Sequence, residues 1–206
     1  MSKFIVLEGI DCAGKTTQMK YIDEFLKTKD IKYICTREPG GIKISEDIRE
    51  IILNKDNISM DIRTEALLYA ASRRQHLIEK INPALNNEYN VICDRFVFSS
   101  LVYQGYARGI GIDEVYNINN FAIENRLPDL IIFIEVDIET ALKRMKNRKN
   151  TDRLDLESAN FHKKTIEGYE IVLSKYKCNI KRVDGTLDEE HVFENIKNIL
   201  IEELFI

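Results

Sequence analysis

The sequence lacks paired cysteines, a basic charge balance and long apolar runs, and each absence excludes a class of protein. Its four cysteines (Cys12, Cys35, Cys93 and Cys178) are scattered without CxxC spacing, which argues against a zinc site and is typical of reduced thiols. The 30 basic and 34 acidic residues give a net charge of −4, so no overall positive charge favours nucleic acid. No run is long enough to span a bilayer and no signal peptide is recognisable. We therefore expect a cytoplasmic protein without nucleic-acid or membrane partners.

The composition indicates one globular domain. The chain has 206 residues, of which 44% are hydrophobic and 31% are charged, and it shows no internal repeat, low-complexity segment or linker. We predict a single domain over residues 1–206.

A phosphate-binding loop stands out near the start, in FIVLEGIDCAGKTTQ (residues 4–18). Gly9, Gly14, Lys15 and Thr16 match the pattern G-x-x-x-x-G-K-[ST], between an apolar strand pattern and a helical one. Glycines let such a loop curl so that its N–H groups and the start of the helix face an anion. Lys15 would then reach the β and γ phosphates, and the Thr16 hydroxyl would bind Mg²⁺. An ordinary glycine turn is the alternative, and the flanking strand and helix disfavour it.

Apolar runs alternate with helical patterns along the whole chain. The runs predict strands over residues 3–7, 32–36, 90–93, 130–136 and 179–183. This rhythm predicts an α/β fold with a five-stranded parallel sheet covered by helices on both faces. Ligands in such folds bind at the carboxyl ends of the strands, where polar residues indeed follow.

Three groups of polar residues suggest binding roles, and each has a plainer alternative. Arg37 follows the second strand in a Pro-Gly-Gly turn, which could be a simple surface loop. Tyr69 and Arg73 share a helix face and could stack on a base and bond its edge, or be a core-margin ring and a solvated cation. Asp94 follows the third strand as a Mg²⁺-binding carboxylate would, beside Arg95, or the two form a buried pair that ties the sheet together.

Two helical patterns predict a core stripe and a lid. The pattern over residues 62–81 predicts a core stripe of Leu67, Ala70, Ala71, Leu77, Ile78 and Ile81. After the fourth strand comes a basic helix, and residues 146–156 form a polar segment without core positions, expected to be a short mobile lid. The alternative for that segment is an ordinary charged surface.

Several motifs in order resemble the thymidylate kinase family of P-loop kinases, and the similarity runs through essentially the whole chain. They are FIVLEGIDCAGKTTQ, TREPGG, LLYAASRRQH, ICDRFVFSSLVYQG, LPDLIIFIEVD and TDRLDLE. The resemblance implies a P-loop kinase fold and ATP-dependent phosphorylation of dTMP to dTDP with Mg²⁺. It also implies ATP and dTMP as small-molecule partners, and a homodimer.

The resemblance also implies site residues. For ATP these are the loop residues Gly9, Ile10, Asp11, Cys12, Ala13, Gly14, Lys15, Thr16 and Thr17, with Arg144 and Gly185 at the adenine. For dTMP they are Asp11 at the 3′-hydroxyl, Arg37 and Arg95 at the phosphate, Tyr69 stacked on thymine, Arg73 at its edge, Ser100 and Gln104 near the base, and Tyr103 against the sugar. Thr16 and Asp94 match the Mg²⁺ positions, directly or through water. The catalytic set is Lys15, Asp94, Arg95, Arg148 and Arg153.

The sequence departs from the family pattern in places. Cys12 replaces a usual glycine, Phe96 a tyrosine and Tyr69 a phenylalanine, and Ile42 and Ile44 interrupt the run after TREPGG. The variable loop positions hold no arginine, so Arg148 and Arg153 are expected to supply that charge, as in the bacterial arrangement.

Two alternatives stay open at this point. One is a kinase of another nucleotide or of a nucleoside on the same fold, and the other is a P-loop NTPase switch. The arginines at positions 37, 73 and 95 disfavour a switch, because a switch has no second phosphate to bind.

Overall fold

Five parallel strands form the centre of the molecule. The structure is a computed structural model that describes residues 2–146, 153–154, 157–176 and 178–204. The strands are β1 (Phe4–Glu8), β2 (Tyr33–Arg37), β3 (Asn90–Asp94), β4 (Leu130–Glu135) and β5 (Ile180–Asp184), in the spatial order β2-β3-β1-β4-β5. Every end of the five predicted strands lies within one residue of the observed one. The predicted α/β class and parallel sheet are confirmed.

Helices connect the strands and pack around the sheet. They are α1 (Lys15–Lys27), α2 (Lys43–Leu53), α3 (Ile62–His76), α4 (Asn82–Asn86), α5 (Val97–Ser100), α6 (Ile112–Ile123), α7 (Ile138–Lys146), α8 (Ala159–Lys175) and α9 (Glu189–Leu204). Two π-helical segments, Leu77–Ile81 and Leu101–Ala107, continue α3 and α5. Helix α1 packs with α9, whereas α3, α6, α8 and the second π-helical segment form another group. No helix in the described ranges is long and apolar enough to cross a membrane.

The prediction for the core stripe of α3 is partly wrong. Leu77 and Ile81 are buried, but Leu67 is 55% exposed, Ile78 is 43% exposed and Ala71 is also exposed. The buried face of α3 carries polar side chains instead, among them Glu65, Arg73 and His76. Hydrophobic periodicity assigns the apolar face to the interior, so it fails where the buried face of a helix lines a polar site.

The strand register determines where the functional residues meet. Asp94, at the end of β3, pairs with Leu7 of β1 on one side and with Arg37 of β2 on the other. The loops that follow these three strands therefore begin side by side at the carboxyl edge of the sheet. This is the edge where open α/β sheets bind ligands.

Candidate functional site

The loop between β1 and α1 has the backbone geometry of an anion cradle. Gly9 has φ 151° and Gly14, the residue before α1, has φ 102°, values that glycine adopts without a steric penalty. A Cβ at Gly9 would lie 2.6 Å from the carbonyl oxygen of Ile134. Cys12 has φ 62°, which lies in the left-handed region that disfavours a side chain. The start of α1 adds the positive end of a helix dipole to the loop.

Lys15 is held inside this loop. Its Nζ donates to the carbonyl oxygens of Gly9 at 2.9 Å and of Ile10 at 2.8 Å. Burial and the nearby charge of Arg95 lower the pKa of Lys15 to about 8, against the opposing effects of Asp94 and other carboxylates. An ammonium group whose pKa is lowered in this way gains from any anion that binds beside it.

Arg95 lies at the centre of a second charged cluster. Its Nη2 is 2.6 Å from Asp11 Oδ1, and its Nη1 donates to the Gly9 carbonyl at 3.0 Å and to Ser99 Oγ at 2.9 Å. The guanidinium lies 5.1 Å from the centre of the Tyr103 ring, whose hydroxyl donates to Asp11 Oδ2 at 2.8 Å. Burial acts to raise the pKa of Asp11, but the charges of Arg95 and Lys15 and the Tyr103 hydrogen bond outweigh it and hold the pKa low. The guanidinium is therefore fixed beside the phosphate loop.

Glu8, which sequence analysis missed, organises the backbone beneath Arg95. Its side chain is fully buried, and Oε1 accepts hydrogen bonds from the backbone N–H groups of Phe96 at 3.0 Å and Ser99 at 3.2 Å. Oε2 accepts from Ser99 Oγ at 2.7 Å and from the Tyr169 hydroxyl at 2.8 Å. Arg95 has φ 69°, a strained backbone conformation that persists only where surrounding bonds, such as those of Glu8, fix it. The sequence signal that could have identified Glu8 is a carboxylate at the end of an otherwise apolar strand.

Arg73 is buried in a set of fixed hydrogen bonds, so the alternative of a solvated cation is wrong. Only 2% of the residue is exposed. Its Nε donates to Glu38 Oε2 at 2.6 Å, Nη1 to Ser100 Oγ at 3.0 Å and to Asn119 Oδ1, and Nη2 to the carbonyl of Phe96 at 3.0 Å. A guanidinium has five N–H groups, and these bonds use four of them. The second N–H of Nη2 has no acceptor among the described residues.

Both clusters open into one cleft of about 620 Å³. The loop with Lys15 lines one part, and Tyr69, Arg73 and Gln104 line another. Of the predicted site residues, the lining contains Asp11, Cys12, Ala13, Gly14, Lys15, Thr16, Thr17, Arg37, Tyr69, Arg73, Asp94, Arg95, Ser100, Tyr103, Gln104, Arg144 and Gly185. Gly9 and Ile10 lie behind it and provide the carbonyls that hold Lys15.

Two arginines near the Pro39 turn extend the positive charge of the cleft. Arg37 Nη1 donates to the Pro39 carbonyl at 3.0 Å, and its Nη2 is 2.9 Å from Glu46 Oε1. Arg49 Nη1 donates to the same carbonyl at 2.9 Å and also lines the cleft. Sequence analysis missed Arg49, because an arginine on the polar face of an amphipathic helix has no distinctive pattern.

The predicted residues beyond β4 have different positions. Arg144 Nη2 donates to the Gly185 carbonyl at 2.9 Å and Nη1 lies 3.4 Å from the Cys12 carbonyl, so this side chain joins the phosphate loop to the turn after β5. Arg153 is buried, with its Nε donating to the Ile52 carbonyl at 2.8 Å and its Nη2 bonded to Glu65. Arg153 is a buried polar residue rather than a member of the hydrophobic core, and it is absent from the cleft lining.

The other lid residues are not covered by the structure. Residues 147–152 and 155–156 of the predicted lid, including Arg148, lie outside the described residues. The lid and the role of Arg148 therefore stay predictions.

The carboxylate of Asp94 fits the predicted Mg²⁺ role. Its Oδ1 is buried and lacks a hydrogen-bond partner in the part of the chain that the structure describes, and the residue lines the cleft together with Thr16. The described residues contain no group of three or more His, Cys, Asp or Glu side chains able to hold a metal by themselves. Mg²⁺ is commonly bound by one or two protein oxygens together with phosphates and water.

Comparisons with known proteins agree with these features. The family model described as thymidylate kinase matches residues 7–196. A thymidylate kinase of Clostridium novyi (strain NT) is 55% identical over 199 residues, covering 96% of this chain and 97% of that protein. One of Bacillus velezensis is 48% identical over 203 residues, covering 98% and 96%, and one of Oceanobacillus iheyensis is 49% identical over 199 residues, covering 96% and 88%.

Proposed function

The chain belongs to the thymidylate kinase family, and on this premise we propose how its cleft carries out the reaction. The function is ATP-dependent phosphorylation of dTMP to dTDP in nucleotide biosynthesis, which supplies dTTP for DNA synthesis. One observation carries the proposal: a loop of main-chain amides with Lys15 and a pair of fixed guanidiniums, Arg73 and Arg95, line the same cleft.

The phosphate loop is the proposed donor site. The amides from Asp11 to Thr17 hold the ATP phosphates, and Lys15 places its charge at the β and γ phosphates. Thr16 and Asp94 would hold Mg²⁺, directly or through water, and the ion would supply positive charge against the negative charge of the ATP phosphates. Asp94 Oδ1, for which the described ranges offer no hydrogen-bond partner, supports this assignment.

The acceptor phosphate is proposed to bind at Arg95 and Arg37. An oxygen of the dTMP phosphate attacks the γ phosphorus, the bond between that phosphorus and the β–γ bridging oxygen breaks, and ADP leaves. The attacking oxygen is already ionised near neutral pH, so no strong base is needed. Catalysis then consists of alignment and charge stabilisation by fixed groups. Asp11 and Ser99 hold Arg95 in place for that purpose.

Thymine is proposed to bind between Tyr69 and Arg73. The Tyr69 ring stacks on the base, and the remaining Nη2 N–H of Arg73 donates to the thymine O4, while Ser100 and Gln104 lie near the base. Tyr103 lies against the sugar, and Asp11 faces the 3′-hydroxyl. Cytosine reverses the hydrogen-bonding pattern at this edge, so we expect dCMP to be rejected by up to about 10⁴–10⁵-fold. The loss of one methyl group in dUMP should cost only about 10–200-fold.

The adenine of ATP is proposed to lie by Arg144 and Gly185, which the observed bond between them supports. Arg148 and Arg153 were predicted to bring positive charge to the transferring phosphate. Because Glu65 binds the guanidinium of Arg153, this role of Arg153 requires the Glu65 contact to open. The role stays a prediction for both arginines.

A homodimer in the cytoplasm is the proposed working state. Leu67 of α3 is 55% exposed and Phe121 of α6 is 88% exposed, on two helices that pack against each other. We propose that a second copy of the chain covers these side chains and removes them from water. The cytoplasm is where ATP and nucleoside monophosphates are available.

A coupled assay of ADP release tests the proposed function. The purified protein is given MgATP with dTMP, dUMP, dCMP or thymidine, and Lys15→Met is the control. We expect turnover in the order dTMP, dUMP, dCMP, with none on thymidine. Thymidine turnover would indicate a nucleoside kinase, and slow hydrolysis of ATP without monophosphate dependence would indicate an NTPase switch. An active Lys15→Met variant would refute the mechanism.

A further inference from the structure

Glu65 is a buried carboxylate next to the cleft that the proposed mechanism does not use. It lies in the first turn of α3 and is 1% exposed. Its Oε1 accepts from Gln104 Nε2 at 2.8 Å and from Arg108 Nε at 3.3 Å. Its Oε2 accepts from Arg108 Nη2 at 3.2 Å and from Arg153. Arg108 in turn contacts Glu157 at 2.6 Å through its Nη1.

The surrounding charges keep Glu65 ionised. Burial acts to raise its pKa, but the Gln104 hydrogen bond and the charges of Arg108 and Arg153 outweigh burial and hold the pKa below its usual value. An ionised carboxylate only accepts hydrogen bonds. The side-chain amide of Gln104 must therefore turn its NH₂ group toward Glu65.

This constraint leaves the carbonyl of Gln104 for the cleft. Gln104 lines the cleft together with Tyr69, Arg73 and Ser100. Its Nε2 donates to Glu65, and no donor among the described residues is bonded to its Oε1. The residue belongs to the π-helical segment Leu101–Ala107, and such segments often occur at functional sites.

We propose that Glu65 is a positioning residue that determines base specificity by fixing the Gln104 amide with its carbonyl oxygen toward the base. This inference rests on the proposed function and deepens it. Thymine has an N3–H that donates to such a carbonyl, whereas cytosine has a bare N3 that accepts. Cytosine would therefore place two acceptors against each other at Gln104, and its amino group would face the donor N–H of Arg73.

The fixed orientation matters because an amide has nearly the same shape after a half-turn. Without the carboxylate, Gln104 rotates and donates its NH₂ to N3 of cytosine, which removes the mismatch. A buried polar group left without a partner costs about 1–3 kcal/mol. The orientation of the amide therefore contributes a factor of about 5–150 to the preference for thymine over cytosine.

The test is Glu65→Gln, which keeps the size of the side chain and can either donate to or accept from Gln104. Glu157→Gln is the matched control, because it removes a carboxylate from the same charged cluster without touching Gln104. The measurement is kcat/KM for dTMP and for dCMP in each protein, with melting curves as a check of folding. We expect the dTMP/dCMP ratio to fall at least about fivefold in Glu65→Gln and to stay within about twofold of the wild type in Glu157→Gln.

The outcomes separate this inference from the proposed function. A wild-type protein inactive on dTMP would refute the proposed function itself. A wild type active on dTMP with an unchanged ratio in Glu65→Gln would overturn only the role of Glu65. An equal fall in both variants would overturn it too, because it would show an effect of cluster charge rather than of amide orientation.

A second measurement covers the case in which Glu65→Gln does not fold. In the wild type labelled at glutamine side chains, added dTMP should shift the ¹³Cδ resonance of Gln104. The Nε2 protons should exchange slowly with solvent before and after the addition. Rapid exchange of these protons, or an unmoved ¹³Cδ resonance, would contradict the proposed orientation.

Discussion

Nucleotide binding should be coupled to protonation of Lys15. Its pKa is lowered to about 8 by burial and by Arg95, and bound phosphates should raise it again toward the ordinary value of about 10.5. Because the complex holds the proton more tightly, binding is favoured at low pH, and affinity falls as the pH rises through 8. If the ordinary value is fully restored, the fall from well below pH 8 to well above pH 10.5 reaches about 300-fold, or about 3 kcal/mol.

Isothermal titration calorimetry measures this coupling directly. MgADP is titrated at pH 9 in buffers of different ionisation enthalpy, so that the observed heat gives the number of protons taken up. With Lys15 at a pKa of about 8 when free and about 10.5 when bound, we expect an uptake of about 0.9 proton at pH 9 and about 0.1 at pH 7. Burial raises the pKa values of Tyr103 and Tyr169 well above 10, so these neighbours do not titrate in this window.

The Lys15→Met variant supplies the control. It should bind MgADP more weakly, with proton uptake at pH 9 reduced to the background of the other groups. Two results would refute the reasoning: a wild type that takes up no proton at pH 9, or an uptake that is the same in Lys15→Met. Either would mean that Lys15 is fully charged in the free protein at pH 9 or does not approach the phosphates.

Three other predictions follow from single contacts. Arg73→Met removes the guanidinium from the buried carboxylate of Glu38, which keeps its hydrogen bond with His76 Nδ1, so we expect a loss of about 3–5 kcal/mol in the free energy of unfolding; adding Glu38→Gln should restore part of it in urea denaturation, and a larger loss in the double variant would contradict this. Arg144→Ala should raise KM for ATP about tenfold and leave KM for dTMP within about twofold, because the side chain bonds the phosphate loop and Gly185; equal rises in steady-state kinetics would argue against an ATP site there. Phe121→Asp should convert the proposed dimer to monomers in sedimentation velocity, and a monomeric wild type would disprove the dimer.

Sequence reasoning was most successful where chain order and local chemistry agree. The loop with Lys15 needs contiguous residues of fixed type, so a pattern finds it. The strands were found because helices cover both faces of the sheet, so that successive strand residues such as Ile5 and Val91 are buried. Such strands are continuous apolar runs in the sequence. The helical residues 97–107 and 112–123 were not delimited, because polar cleft residues such as Gln104 interrupt their apolar pattern.

Sequence reasoning was weaker wherever the environment of a side chain decides its role. Arg73 and Leu67 lie on one helix, and the pattern predicted Leu67 to be inside, whereas the structure buries Arg73. Sequence analysis assigned no role to Glu8 or Glu65. Their importance comes from hydrogen bonds to residues far away in the chain. Tyr169 is 161 residues from Glu8, and Arg153 is 88 residues from Glu65.

The sequence by itself therefore determined the α/β class, the strand order along the chain, the phosphate loop and the family. These depend on residues that are neighbours in the chain or recur with a fixed period. Only the tertiary structure decided which charges are buried together, that Arg73 bonds Glu38 and that Gln104 bonds Glu65. Burial and hydrogen-bond pairing are properties of residues far apart in the chain, and they arise only when the strands align their carboxyl ends along one edge.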